Sequence, residues 1–340
     1  MEASEASIAK AAGWLAAGEL VGMPTETVYG LACDALNPTA AAAVFASKGR
    51  PSFDPLIVHV ASAEDAWRLV GQPHGEPSWA RLVDQLSEAF WPGALTMVLP
   101  KPAAVPGIVT AGLETVGVRV PLHPVARRLM EALGEQPVVA GRGLPACVAA
   151  PSANRFGEVS PSCAEHVQVA CAMVLDGGAC VTGVESTVVR PMDEGTVSVL
   201  RLGGVSVEAL GEVVGEAKVR VVGGTHDDEA ASQGLASPGT TLKHYAPRTA
   251  MRLMGDRAAL LAAIKNATGR CGAIGVALHG IEANAIEDLS PTGDLTEAAA
   301  NLFAAMHRLD EADLDVILAE AVPELGLGRA INDRLRRASR

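Results

Sequence analysis

Aromatic residues are scarce in this 340-residue chain, where five Phe, four Trp and two Tyr make up 3% of the total. A core with so few rings must be built from Ala, Val and Leu. Together with 35 glycines, such side chains suit close packing of helices on a sheet and point to α/β layers. The six cysteines, at 33, 147, 163, 171, 180 and 271, form no C-x-x-C pair and no Cys/His cluster of zinc spacing. Buried thiols in a reducing compartment are therefore expected, and no metal-ligating set is singled out. No uncharged apolar run approaches the roughly 18 residues of a membrane span. The Ala-rich start carries Glu2 and Glu5 in place of a basic segment, so no signal peptide is expected and the protein should be soluble and cytoplasmic. Positive charge is also short: 27 Lys and Arg against 39 Asp and Glu leave a net charge of -12, which opposes a broad grip on nucleic acid. Absent too are a Gly-x-x-x-x-Gly-Lys-[Ser/Thr] loop, a Gly-x-Ser-x-Gly elbow and a His-x-x-x-His pair. Gly272, Gly275 and Gly280 miss the dinucleotide spacing.

What is present reads as two domains and a linker. The spacing of Ile8, Ala12, Leu15 and Ala16 predicts a helix over 7–19 with Ser7 as its cap. A strand at 20–23 follows. Asn37 then caps a second helix, with Pro38 at its first position and Gly49 and Pro51 at its end. Pro55 to Val60 reads as a strand. Helices are expected at 64–70, 78–90, 123–133 and 161–170, the last with Ser162 and Glu165 at capping-box spacing. Strands are expected at 94–99, 115–120, 137–140, 173–176, 185–190 and 197–202, which argues for a mixed, twisted sheet. Residues 222–241 turn small, polar and acidic, as a linker would. Beyond it, 250–254, 256–266 and 271–278 form a β-α-β pattern, followed by a long helix at 294–309 and a basic C-terminal helix.

The chemistry is concentrated between Pro24 and His59. Lys48 and Arg50 flank Gly49, where cations complement a helix C-terminus. They equally suit phosphate oxygens, Arg as a fork and Lys as a point charge. The Thr25–Tyr29 loop and the His59 strand should converge on them at the same sheet edge. His59 alternates with Leu56, Val58 and Val60 and shares the opposite face with Ile57. Arg119 lies among valines in a strand. Its burial requires pairing, either a structural ion pair or a substrate carboxylate. Ala150-Pro-Ser-Ala-Asn154 can be a simple turn or can present Ser152 and Asn154 to a nucleotide. Hydroxyls in Glu185-Ser-Thr187 can merely pair across a sheet.

As a set, these segments resemble the threonylcarbamoyl-AMP synthase family in its long form. The motifs are Pro24-Thr-Glu-Thr-Val-Tyr-Gly-Leu31, Ser47-Lys-Gly-Arg-Pro51, Pro55-Leu-Ile-Val-His59, Phe90-Trp-Pro-Gly93, Ala150-Pro-Ser-Ala-Asn154 and Val184-Glu-Ser-Thr-Val188. Ser237-Pro-Gly239 and Lys243-His-Tyr-Ala-Pro247 are similar to the family's linker signature. The resemblance implies a YrdC-like catalytic domain over 1–215 with a twisted mixed sheet and flanking helices. It further implies a linker and lid over 216–249 and a smaller Rossmann-like α/β domain over 250–340. The implied reaction is adenylyl transfer to a threonine carbamate, from L-threonine, bicarbonate and ATP with Mg²⁺, releasing pyrophosphate. The product would pass to a tRNA threonylcarbamoyl transferase acting at position 37, with tRNA itself bound weakly at most and no membrane involved. By the resemblance Thr27, His59, Arg119 and Ser186 would hold L-threonine. Lys48, Arg50, Asp54, Thr115, Ser152, Asn154, Ser160, Arg201 and Tyr245 would face ATP, with Lys48 and Arg50 acting in catalysis. Three departures stand out: Asp54 where the family has Asn, Leu202 where it has Pro, and an apparent insertion at 141–148. The rival reading is an RNA-binding module using the same basic surface, which the net charge and the few aromatics oppose.

Overall fold

Alternation of apolar residues sorts the first two-thirds of the chain into one large sheet in the computed structural model, which describes residues 1–71, 77–222 and 244–340. Its strands are β1 (Val21–Met23), β2 (Gly30–Asp34), β3 (Ile57–Val60), β4 (Leu95–Pro100), β5 (Thr115–Arg119), β6 (Cys147–Ala149), β7 (Met173–Val174), β8 (Thr187–Pro191), β9 (Val197–Arg201) and β10 (Val219–Val221). They lie in the order β10-β9-β8-β4-β5-β3-β6-β2-β1-β7. Pairing is antiparallel at β1/β2, β2/β6, β3/β6, β4/β5 and β8/β9 and parallel at the other junctions, which is the mixed sheet expected.

Successive side chains on a strand point to opposite faces, and here the two faces differ in use. Leu31, Val58, Met97, Val118 and Val189 meet α2 (Pro38–Lys48), α3 (Ala63–Val70), α4 (Pro77–Phe90) and α7 (Val207–Val214). On the other face, Met23, Ala32 and Val148 pack beneath α1 (Glu5–Ala16) and α5 (Pro124–Gly134). The rest of that second face carries Ile57, His59, Thr96, Arg119 and Val188 from the central strands, and there the expected site residues gather. The segments therefore converge over the middle of the sheet, not at its edge.

A second, parallel sheet is ordered β11 (Met251–Met254), β14 (Val316–Glu320), β12 (Cys271–Gly275), β13 (Ala285–Asp288). Helices α9 (Leu295–Asp310) and α10 (Gly328–Ala338) cover one face, and α8 (Arg257–Lys265) covers the other, as an all-parallel sheet requires. The cluster around Phe303, Met306 and Leu335 also takes in Val28, Val159, Val184 and Tyr245. The two units share one apolar core.

Local reasons account for the differences from the expected elements. The first helix starts at Glu5, because Ser4 is its cap and forms a capping box with Ser7. Residues 161–170 give only a short 3-10 turn at Ala164–His166. The Pro161 and Ser162 carbonyls accept instead from the Tyr29 and Cys180 amides, at 2.9 and 2.8 Å, and so are not available to a helix. Residues 137–140 form a helical turn, α6 (Pro137–Ala140), and not a strand, since Pro137 presets a helical φ at its first position. The apparent insertion at 141–148 ends in β6, which pairs with both β2 and β3. The body of the linker, with Ser237-Pro-Gly239 and Lys243, lies outside the described residues.

At the join of the units, Gly183 has φ +69°, and a Cβ there would stand 2.3 Å from the Ala299 carbonyl oxygen of α9. Gly183→Ala is expected to cost roughly 2–4 kcal/mol from left-handed strain and overpacking. Urea unfolding midpoints measure this, and an unchanged midpoint would show that α9 does not press on this turn.

Candidate active site

A hydroxyl turn shapes the loop between β1 and β2. Thr25 Oγ1 donates to the Val28 carbonyl at 2.6 Å and accepts from the Thr27 and Val28 amides, both at 3.2 Å. This local bonding holds Thr27 and Val28 against the sheet. Helix α2 ends at Gly49, whose φ of 62° turns the chain inward. Lys48 Nζ then reaches across to the Ser152 and Asn154 carbonyls. Arg50 donates to the Asp54 and Pro55 carbonyls at 3.0 and 2.8 Å and pairs with the Asp54 carboxylate at 2.9 Å. Both cations are buried, so completing the end of their own helix does not account for them.

Several of these groups line a partly open cavity of about 50 Å³, enough for a few water molecules. Thr27, Arg50, His59, Arg119, Ser152, Ser186, Arg201 and Tyr245 line it, together with Glu185, His244 and the apolar Val28, Pro55, Ile57, Ala150 and Pro151. All four residues expected to hold an amino acid thus share one wall system with part of the nucleotide set. Lys48 stands behind the 152–154 turn and Asp54 behind Arg50. Asn154 holds that turn through its side-chain amide, which donates to the Arg155 and Glu158 carbonyls. Ser160 is fully buried and donates to Glu185 at 2.6 Å. Thr115 opens into a smaller neighbouring pocket that shares Pro55 and Ile57.

Electrostatics are set by burial. Arg119 donates to Glu26 at 2.6 Å and to the Gly93 carbonyl at 3.0 Å while still facing the cavity, so it is both a structural ion pair and a cavity cation. Burial pushes the Glu26 carboxyl up, but the Arg119 guanidinium outweighs it and keeps that carboxyl below its usual range. Burial, then the nearby Arg119 charge, drives His59 down to about 3. His59 is neutral, and its Nδ1 has no hydrogen-bond partner among the described residues. Burial lowers Lys48 well below the ordinary lysine range, with Arg50 adding to it, and raises Asp54. Ser186 Oγ lies 2.8 Å from Thr96 Oγ1, and Arg201 donates to the Ser186 carbonyl at 2.8 Å.

A strap containing His244 and Tyr245 covers the cavity. Tyr245 is 1% exposed and has φ 63°, a left-handed conformation costing a non-glycine residue about 1–3 kcal/mol and kept only where its surroundings enforce it. The Ala246 amide anchors the strap on the Gly157 carbonyl at 2.8 Å. Four polar groups here had no role assigned from sequence: Glu26, Glu185, His244 and Arg334. The first three stand inside quoted motifs. Arg334 is one of several arginines in α10, and nothing in its spacing separates it from a solvated one.

Fold and site together define an α/β protein with buried cations around a cavity beneath a strap. Residues 14–203 match a family model described as "Telomere recombination", and residues 205–340 match "Threonylcarbamoyl-AMP synthase, C-terminal domain". The Threonylcarbamoyl-AMP synthase of Pyrococcus abyssi is 39% identical over 97% of this chain and 93% of its own length. That of Bacillus subtilis is 37% identical over 100% and 94%. The crystal structure of P. abyssi Sua5 complexed with L-threonine superposes with a TM-score of 0.83 at 37% identity, covering 100% of this chain and 96% of that one. The chain belongs to the threonylcarbamoyl-AMP synthase family.

The depressed His59 value has a definite sign. Between the unfolded value of 6.5 and about 3, the unfolded chain binds a proton that the native state refuses. The stability is thus present above that window and lost as pH falls through it. His59→Gln is expected to flatten the acid limb of stability by up to about 1.4 kcal/mol per pH unit, read from urea unfolding between about pH 6 and pH 4. An unaltered slope would mean that the native imidazole carries a proton.

Proposed function

We propose that this chain is a nucleotidyltransferase that joins L-threonine, bicarbonate and ATP into threonylcarbamoyl-AMP and releases pyrophosphate. The observation that carries the proposal is the convergence of Thr27, His59, Arg119 and Ser186 with Arg50, Ser152 and Arg201 on one cavity. The fold shared with a relative complexed with L-threonine supports it. In this reading Arg119, tethered by Glu26 and the Gly93 carbonyl, offers its guanidinium to the threonine carboxylate. The hydroxyls of Thr27 and Ser186 and the unpartnered Nδ1 of neutral His59 meet the polar groups of the amino acid.

The threonine amine attacks the bicarbonate carbon, one bicarbonate oxygen leaves as water with a proton from the amine, and an oxygen of the resulting carbamate then attacks the α-phosphorus while pyrophosphate leaves. Alignment and charge neutralisation serve this step better than a nucleophilic triad. Lys48, Arg50 and Arg201 are the cations for it. Lys48 and Arg50 have to exchange backbone carbonyls for phosphate oxygens, which couples ATP entry to a rearrangement of the 50–55 and 152–154 turns. Mg²⁺ fits this environment in one respect: Asp54 Oδ2 is buried without a hydrogen-bond partner beside the phosphate-facing cations, although no cluster of three potential ligands exists among the described residues. Such an ion would arrive with ATP, supply charge neutralisation on its phosphates, and find in Asp54 a single carboxylate.

We assign catalysis to the unit built on the ten-stranded sheet, which β10 (Val219–Val221) extends beyond the expected boundary at 215 into the expected linker of 216–249, cover to the strap at 244–248, and support of that cover to 250–340. The product then serves a cytoplasmic transferase that modifies tRNA. The RNA-binding alternative is disfavoured by the burial of Lys48 and Arg50. The decisive assay is pyrophosphate release from ATP with and without L-threonine and bicarbonate. Lys48→Ala and Arg50→Ala should each lower kcat/KM by about 100-fold or more. Release that is indifferent to threonine, or undiminished in both variants, would overturn the assignment.

A further inference from the structure

Arg334, on α10 of the C-terminal unit, is wholly enclosed yet does not line the cavity. Its Nε donates to Glu185 at 2.9 Å and its Nη1 to Asp333 at 2.9 Å. Its Nη2 has no hydrogen-bond partner among the described residues. The guanidinium carbon lies 5.2 Å from the centre of the Tyr245 ring, within reach of a cation–π attraction. The ring also meets that of Phe303 of α9, with centroids 5.7 Å apart. The Arg337 carbonyl, one turn further along α10, accepts the His244 amide at 3.4 Å. One side chain therefore touches the strap through Tyr245 and the cavity wall through Glu185, which in turn accepts from Ser160.

We propose that Arg334 is a positioning residue for the adenylating site: it holds the Tyr245 strap shut and fixes Glu185, which makes the C-terminal unit part of the active site. Three features support this. Tyr245 occupies a left-handed backbone conformation that it would leave if released. Tyr245 lines the cavity beside Glu185, Ser186 and Arg201, so its placement sets the shape of that wall. A buried cation with one donor unpaired is costly unless its remaining contacts fix it in place.

The kinetic part of this inference rests on the reading given under Proposed function, and the exchange part does not. Wild type, Arg334→Met, Tyr245→Leu and the double variant are compared by amide hydrogen exchange over 244–248 and by pyrophosphate release against ATP concentration. Arg334→Met should speed exchange at 244–248 by about tenfold or more, with β14 and α9 unchanged. It should also reduce kcat/KM for ATP by about ten- to a hundredfold. If Arg334 acts through Tyr245, the double variant is no worse than the poorer single variant. Unchanged exchange over 244–248, or kinetic losses that multiply in the double variant, would overturn the proposal. Should Arg334→Met lose its cooperative unfolding transition, Arg334→Lys takes its place. That variant keeps the cation against Glu185 and Tyr245 and should restore slow exchange in part. Exchange as fast in Arg334→Lys as in Tyr245→Leu would overturn it equally. No pyrophosphate release from wild type, with exchange responding as described, would count against the enzymatic reading and leave the strap contact standing.

Discussion

Glu185 receives the Ser160 hydroxyl at 2.6 Å and the Arg334 guanidinium at 2.9 Å, and the whole arrangement of strap, wall and second unit is built around that shared carboxylate. Removing one partner from a buried pair of this kind typically costs about 3–5 kcal/mol, because the remaining charge is left without water. The apolar contacts between the units, Val28, Val159 and Val184 against the α9 and α10 cluster, supply the area. Such contacts are non-directional, whereas the Glu185 network fixes where α10 sits relative to the cavity.

Burial of charge is the theme of the site. The sheet face carrying His59, Arg119 and Arg201 would suit water if it were left open. Here it is closed, and each group is handled differently. Arg119 gains Glu26, Arg201 gains the Ser186 carbonyl, and His59 gives up its proton. A neutral imidazole can accept a hydrogen bond from an ammonium or hydroxyl group, which its protonated form could not do. The same low-dielectric setting strengthens every later contact with a charged ligand.

Much of this could be read in the chain itself. Asn37, Pro38 and Gly49 mark both ends of α2 by local chemistry alone, and the period-two pattern around Val58 puts His59 and Ile57 on one face, which both prove to share with the cavity. Failures arose where remote partners overrule local preference. The 161–170 segment has helical spacing, but its carbonyls are claimed by Tyr29 and Cys180. The partner of Arg119 lies 93 residues away, and that of Arg334 lies 149 residues away. No window of sequence displays such a pairing. Arg334 differs from its neighbour Arg336, which is 39% exposed in its side chain, only through the tertiary fold.

The order of the elements along the chain has a consequence for synthesis on the ribosome. Translation delivers Thr27, His59, Arg119, Ser186 and Arg201 long before Arg334, and domains tend to fold in the order in which they emerge. The ten-stranded sheet can therefore assemble while its charged half-face is still open to water. Only when α10 emerges does Glu185 meet its guanidinium and Tyr245 find the surface that holds it. A nascent chain thus carries a preformed but uncovered site, and the last helix described converts it to the covered form.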